Sequence, residues 1–94
     1  MPQFIIERNI AGANTLCQQE LAEISAKSND VVANLNRPYR WITSYVAGDK
    51  IYCVHEAEDS EAILQHAREG GFPANQVTEI SAVIGPETAQ GLEA

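Results

Sequence analysis

Residues 40–57 read RWITSYVAGDKIYCVHEA, and this stretch decides the fold. Two runs rich in β-branched and aromatic residues lie on either side of the pair Gly48-Asp49. Runs of this kind joined by a short turn that contains glycine are typical of a β-hairpin. The stretch therefore predicts two antiparallel strands, and the segments before and after it decide how the sheet is completed.

The segment before the hairpin predicts a strand followed by a helix. FIIERNI, residues 4–10, is β-branched and bounded by turn formers, as strands are. A helix follows in which Cys17 is the cap and Glu20 is the third residue, an arrangement that resembles a capping box. Pro38 ends it, because proline disfavours helical angles in the residue before it. Apolar residues at helical spacing form its predicted buried face, together with one serine: Leu21, Ile24, Ser28, Val31, Val32 and Leu35.

The segment after the hairpin predicts a second helix and a last strand. Asp59 or Ser60 caps the helix, and the pair Gly70-Gly71 ends it by supplying a positive φ. We expect Ile63, Leu64 and Ala67 to face the core. The last strand is predicted over about 76–84.

The order βαββαβ predicts an α+β fold of the ferredoxin-like type, with a four-stranded antiparallel sheet and both helices on one face. The other face then meets solvent or a second subunit. A chain of 94 residues buries a thin core, which favours a homodimer packed sheet to sheet as a dimeric α+β barrel. We assign residues 1–86 to the domain and residues 87–94 to a C-terminal tail.

The charge and the cysteines limit the partners and the compartment. Acidic residues outnumber basic ones 13 to 6, and the net charge of -7 argues against nucleic acid and anionic membranes as partners. No apolar run is long enough to span a membrane, and the N-terminus does not resemble a signal peptide. Cys17 and Cys53 lie far apart with no paired spacing, so we expect free thiols and a cytoplasmic protein.

Alternation along the strands suggests which side chains share the open face. In the first strand Phe4 and Ile6 suit the helix side, which places Glu7 on the open face. In the second strand Trp41 and Tyr45 suit the open face, whereas either set of the third strand could face the helices. If Cys53 and His55 face away from the helices, two subunits would enclose a cavity lined by these side chains. The alternative is that Trp41 and Tyr45 are simple packing residues of a dimer interface.

Cys53 and His55 are the best candidates for chemistry, because residues two apart on a strand lie about 6.5–7 Å apart on one face. A thiolate and an imidazole suit nickel, zinc or copper. Glu7, Tyr45, His66 or a second subunit would complete the site, since two ligands do not. His66 has an alternative interpretation as a helix-end histidine that favours the C-terminal dipole. A catalytic Cys53–His55 pair is disfavoured, because such neighbours rarely form a linear thiol–imidazole bond.

Several blocks of the sequence together resemble a bacterial family of small proteins of unknown function. The likeness runs to about Pro86, and its blocks are FIIER (4–8), WITSYV (41–46), DKIYCV (49–54), HA (66–67) and GGFPAN (70–75). One member is described as a nickel-binding protein with a ferredoxin-like fold that forms a dimeric barrel. The resemblance therefore implies the same fold, a homodimer and nickel binding.

The resemblance reaches four candidate residues, since Glu7, Tyr45, Cys53 and His66 lie inside matching blocks. Two positions differ from the family pattern: position 55 is more often Tyr, and Cys17 stands where Ser normally caps the helix. His55 therefore either adds a nitrogen donor to the site or takes no part in it.

Three functions are compatible with these features. The leading one is a metal-binding protein, most simply for nickel, that acts in sequestration or homeostasis through Cys53, His55, Glu7 and His66. The second is a small-molecule enzyme of the dimeric α+β barrel type, similar to oxygenases or isomerases, with Tyr45, His55 or His66 as acid or base beside Trp41. The third is a structural dimerisation module anchored by Trp41 and Tyr45.

Overall fold

Four strands and two α-helices follow one another in the order βαββαβ in the computed structural model, which describes residues 1–93. They are β1 (Gln3–Asn9), α1 (Gln18–Asn34), β2 (Tyr39–Ala47), β3 (Lys50–Ala57), α2 (Ser60–Gly70) and β4 (Gln76–Glu79). The strands form one antiparallel sheet in the spatial order β2-β3-β1-β4. This arrangement confirms the predicted ferredoxin-like α+β fold. Over residues 1–93, no helix has the length and apolar character needed to cross a membrane.

The helix boundaries follow the local sequence signals. Cys17 is the N-cap of α1, and its backbone N–H donates to the Glu20 carboxylate at 3.0 Å. Asp59 caps α2 by accepting a hydrogen bond from the backbone N–H of Ala62 at 2.9 Å. α2 ends at Gly71, whose φ of 70° is a conformation that glycine adopts without strain.

The core lies between the helices and one face of the sheet. On β1, Phe4 and Ile6 are buried, as the alternation predicts. On α2, Ile63 and Ala67 are buried as predicted, whereas Leu64 is 37% exposed, so its predicted place in the core is wrong. Because residues on opposite faces of a strand alternate, Ile5 and Glu7 belong to the other face, which no helix covers.

The register of the sheet corrects the predicted face of Trp41 in β2 and decides the face of β3, which the sequence left open. Cys53 is paired with Ile6, and His55 with Phe4, so both side chains face the helices and are buried. Trp41 is paired with His55, but the register shifts between Trp41 and Thr43. This β-bulge adds one residue to β2 and reverses the alternation. Trp41 therefore lies on the helix side, although it was expected beside Tyr45 on the open face.

The open face is defined by two cross-strand rows of side chains. One row contains Thr78, Ile5, Val54 and Thr43, and the other contains Gln76, Glu7, Tyr52 and Tyr45. Tyr45 is 62% exposed and Ile5 is 38% exposed. Both are accessible to a partner.

The C-terminal part differs from the expected one in the length of its strand. β4 ends at Glu79 rather than near residue 84, because its neighbour β1 provides no partners before Gln3, whose carbonyl accepts from Ile80 N–H at 2.8 Å. Residues Pro86–Glu93 form a 3-10 helix, exposed from residue 86 to residue 92. The division into a domain of residues 1–86 and a tail of residues 87–94 stays a prediction, and residue 94 lies outside the described residues.

Candidate functional site

The sheet separates the residues expected to form one site. Cys53, His55 and Trp41 lie on the helix side, where His66 of α2 joins them. Glu7 and Tyr45 lie on the open face, and Glu7 pairs there with Lys50 at 3.2 Å. The structure thus places Cys53, His55 and His66 along one cavity and keeps Glu7 and Tyr45 on the opposite face of the sheet.

A cavity of about 490 Å³ lies on the helix side, between α1 and β2. Its lining is Arg8, Ile10, Leu21, Ile24, Ser25, Ser28, Trp41, Ile42, Thr43, Ser44, Val46, Ile51, Cys53, His55, His66 and Phe72. Ile42 and Val46 are about 40% exposed, at 39% and 42%, and belong to the edge strand β2. The cavity therefore opens at this edge of the sheet, which α1 does not seal.

The imidazoles of His55 and His66 are buried at one end of this cavity, each 1% exposed. Their ring centroids lie 5.0 Å apart in an edge-to-face arrangement. His66 is stacked between Tyr39 and Phe72, with centroid distances of 5.2 and 5.5 Å. Aromatic packing of this kind fixes the orientation of both rings.

Each imidazole makes one hydrogen bond to a side chain. His55 Nδ1 bonds to the Tyr39 hydroxyl, and His66 Nε2 lies 3.1 Å from the Ser28 hydroxyl. His66 Nδ1 is buried without a partner. When His66 Nε2–H donates to Ser28, Nδ1 carries a lone pair that nothing in the described chain uses.

Burial keeps both imidazoles neutral at neutral pH. It lowers the pKa of His55 to about 3, with further contributions from His66 and the Arg8 guanidinium. It also lowers the pKa of His66 to about 4, and Arg8 again contributes. Burial raises the pKa of the Tyr39 hydroxyl, which therefore remains protonated. A neutral imidazole is the form that ligates a metal.

Arg8 is a charged residue of this site, and it is 4% exposed. Its Nε–H donates to the Cys53 thiol sulfur at 3.3 Å, and one Nη1–H donates to the Pro73 carbonyl at 2.7 Å. The guanidinium carbon lies 5.5 Å from the centre of the Phe72 ring. Among the side chains of residues 1–92, no carboxylate forms an ion pair with Arg8.

The roles of Arg8, Tyr39 and Phe72 were not predicted from the sequence, and Ser28 was predicted only as part of the buried face of α1. The sequence does contain a signal for Arg8. It lies two residues after Ile6 and four after Phe4, so its side chain belongs to the same helix-covered face of β1. Tyr39 and Phe72 are set by tertiary packing around His66, which no local pattern indicates.

The cavity contains side chains of the types that bind metal ions, but only a few of them. Over the described part of the chain, no group of three or more His, Cys, Asp or Glu side chains is arranged to hold a metal ion. Both thiols are free, Cys53 buried and Cys17 exposed. A single chain thus offers two neutral imidazoles with one thiol nearby.

Comparison with known proteins supports the fold and identifies the family. No curated protein matches the chain at a significant level. The crystal structure of SCO4226 from Streptomyces coelicolor A3(2) matches with a TM-score of 0.71 and 19% identity, over 87% of this chain and 99% of that chain. A family model described as "Nickel responsive protein SCO4226-like" matches residues 4–80. Because that match spans most of the sequence, the chain belongs to the SCO4226-like family of nickel responsive proteins.

Proposed function

We propose that this protein binds nickel through the imidazoles of His55 and His66, in a cavity that Cys53 also lines, and acts in sequestration or homeostasis of the ion. The observation that carries the proposal is the pair of buried, neutral imidazoles 5.0 Å apart, one with an unpartnered nitrogen. Imidazole and thiolate ligands suit borderline divalent ions. Zinc and copper are the alternative ions, and the family description favours nickel.

The residues around the imidazoles support this role. Tyr39 and Ser28 each bond one ring nitrogen, as the outer partners of ligating histidines commonly do. The donor types fit the ion, but one chain supplies too few of them to complete its coordination. The remaining ligands would come from water.

Isothermal titration of chelator-treated protein with Ni²⁺ tests the proposal. In His66→Gln the side-chain amide takes the place of Nε2, which bonds to Ser28, and the proposed ligand Nδ1 is removed. In His55→Asn the amide takes the place of Nδ1, which bonds to Tyr39, and Nε2 is removed. We expect each variant to bind nickel at least about tenfold more weakly, which corresponds to about 1.4 kcal/mol. Cys53→Ala tests the thiol, with Cys17→Ala as the matched control at the exposed cysteine.

Two outcomes would contradict the nickel proposal. One is an unaltered nickel affinity in both histidine variants, measured after circular dichroism has shown that they fold. The other is wild-type protein whose melting temperature does not rise with nickel, zinc or copper, because an ion bound only by the folded state must stabilise it.

We also propose that two copies pack through the open face as a homodimer. Ile5, Val54 and Tyr45 place apolar surface there that no helix covers, and such surface favours association. Glu7 and Lys50 form an ion pair on the same face, so their opposite charges offset each other and do not oppose association of two copies.

Analytical ultracentrifugation of Tyr45→Gln tests the homodimer, with Leu64→Gln as a matched control because Leu64 is an exposed apolar residue of α2. We expect Tyr45→Gln to sediment as a monomer and Leu64→Gln to behave as the wild type. A wild-type monomer at all concentrations, or a dimer that Leu64→Gln disrupts instead, would contradict the proposal.

The other sequence-based functions stay predictions. The barrel-type enzyme requires a substrate that turns over at His55 or His66. The structural module requires that no function is lost apart from assembly when Trp41 or Tyr45 is changed. The cytoplasmic location also stays a prediction.

A further inference from the structure

The guanidinium of Arg8 has more hydrogen-bond donors than the described chain uses. Arginine carries five N–H donors, and Arg8 uses one on Nε and one on Nη1. Its Nη2 group makes no hydrogen bond to the described atoms of residues 1–92. A buried charge without an opposite charge is costly, so an anionic partner would stabilise this arrangement.

The cavity that Arg8 lines contains no negative charge of its own. The chain carries a net charge of -7, yet no Asp or Glu is among the described residues that line the cavity. Lys27 of α1 also lies over the Phe72 ring, with its Nζ 5.6 Å from the ring centre, but it is exposed and does not line the cavity. Arg8 is therefore the positively charged residue of the cavity wall.

The rest of the cavity wall is mostly apolar. Its side chains include Leu21 and Ile24 from α1, Ile51 from β3 and Trp41 from β2. A volume of about 490 Å³ lies within the range of small-molecule sites, which combine apolar walls with a few polar groups that fix orientation. The entrance beside Ile42 and Val46 gives a ligand access from solvent.

We propose that this cavity binds a small organic carboxylate, with its carboxylate against the Arg8 guanidinium and its apolar body against α1, β2 and β3. Guanidinium recognises carboxylate by paired hydrogen bonds. Ser28 and Ser44 line the same cavity, and their hydroxyls can donate to a second oxygen.

This inference goes beyond nickel binding and does not rest on it.

The proposal is tested by titrating metal-free protein, in the presence of a chelator, with octanoate and with phenylacetate. The neutral amides of the two acids are titrated separately for comparison. Heat and the fluorescence of Trp41 report binding, since Trp41 is the single tryptophan and lines the cavity. We expect at least one carboxylate to bind and its amide to bind at least about tenfold more weakly. Failure of both carboxylates, or equal binding of acid and amide, overturns the proposal and leaves the nickel titration untouched.

Three variants distinguish the cavity from other surfaces. Arg8→Gln should remove the preference for the carboxylate, whereas Lys27→Gln should preserve it, because Lys27 is not among the lining residues. Ile24→Trp should weaken the acid and the amide alike by filling the cavity, and it provides the test if Arg8→Gln fails to fold. A preference that survives Arg8→Gln, or binding that survives Ile24→Trp unchanged, also overturns the proposal.

Discussion

On the helix-covered face of the sheet Arg8 is buried without a carboxylate in the described chain, whereas on the open face Lys50 and Glu7 pair at 3.2 Å in contact with water. Glu7 and Arg8 are neighbours in β1, so one strand supplies both environments. Stability alone would favour the reverse arrangement, with the pair inside and the lone charge outside. The difference agrees with the two proposals, a ligand on the helix-covered face and a second copy of the chain on the open face.

The largest expected difference between the two faces concerns packing at adjacent positions of β1. Ile6 is fully buried and Ile5 is 38% exposed. We expect Ile6→Ala to lower the free energy of unfolding by about 2–5 kcal/mol, because it leaves a cavity in the core. Ile5→Ala should lower it by less than about 1 kcal/mol in the monomer. Urea denaturation at low protein concentration measures both, and equal effects would contradict the assignment of the faces.

A second prediction concerns the neutral imidazoles of the helix-covered face. Their pKa values of about 3 and about 4 lie below the value of about 6.5 expected in the unfolded chain. From pH 6.5 downward the unfolded state therefore binds protons that the folded state does not, and the free energy of unfolding falls as pH falls. The slope is up to about 1.4 kcal/mol per pH unit for each histidine.

The chain contains only these two histidines, which makes the experiment selective. Between pH 6.5 and 5, metal-free His66→Gln should show about half the wild-type slope, measured by urea denaturation at each pH. Cys17→Ala serves as the control, since this exposed thiol has no part in the cluster. A wild-type stability independent of pH across this window would show that the imidazoles are not buried as neutral groups.

Much of this comparison could be predicted from the sequence. The turn at Gly48-Asp49 and the caps at Cys17 and Asp59 are local signals, and the elements begin and end close to them. The alternation of Phe4, Ile6 and Glu7 assigned the faces of β1 correctly, because one set is plainly apolar. The dimer and the metal ligands are not tested by the fold.

The face of β3 and the reversal in β2 could not be predicted. Both sets of β3 mix apolar and polar residues, so periodicity does not choose between Cys53 with His55 and Tyr52 with Val54. A β-bulge at Ile42 depends on pairing with a neighbouring strand and leaves no mark in a single sequence. The cavity on the helix side could not be predicted either, because it depends on how far α1 lies from β2 in the folded chain.

The smallest expected effect belongs to the ion pair of the open face. Lys50 and Glu7 are partly exposed, so we expect Lys50→Gln to lower the free energy of unfolding of the monomer by about 0–1 kcal/mol and salt to remove the difference. If the open face is covered in a homodimer, the pair loses water and breaking it costs more. Urea denaturation of Lys50→Gln at low and high protein concentration separates the two situations. A large effect already present in the monomer would mean that the open face is shielded within one chain, and the contrast between the faces would fail.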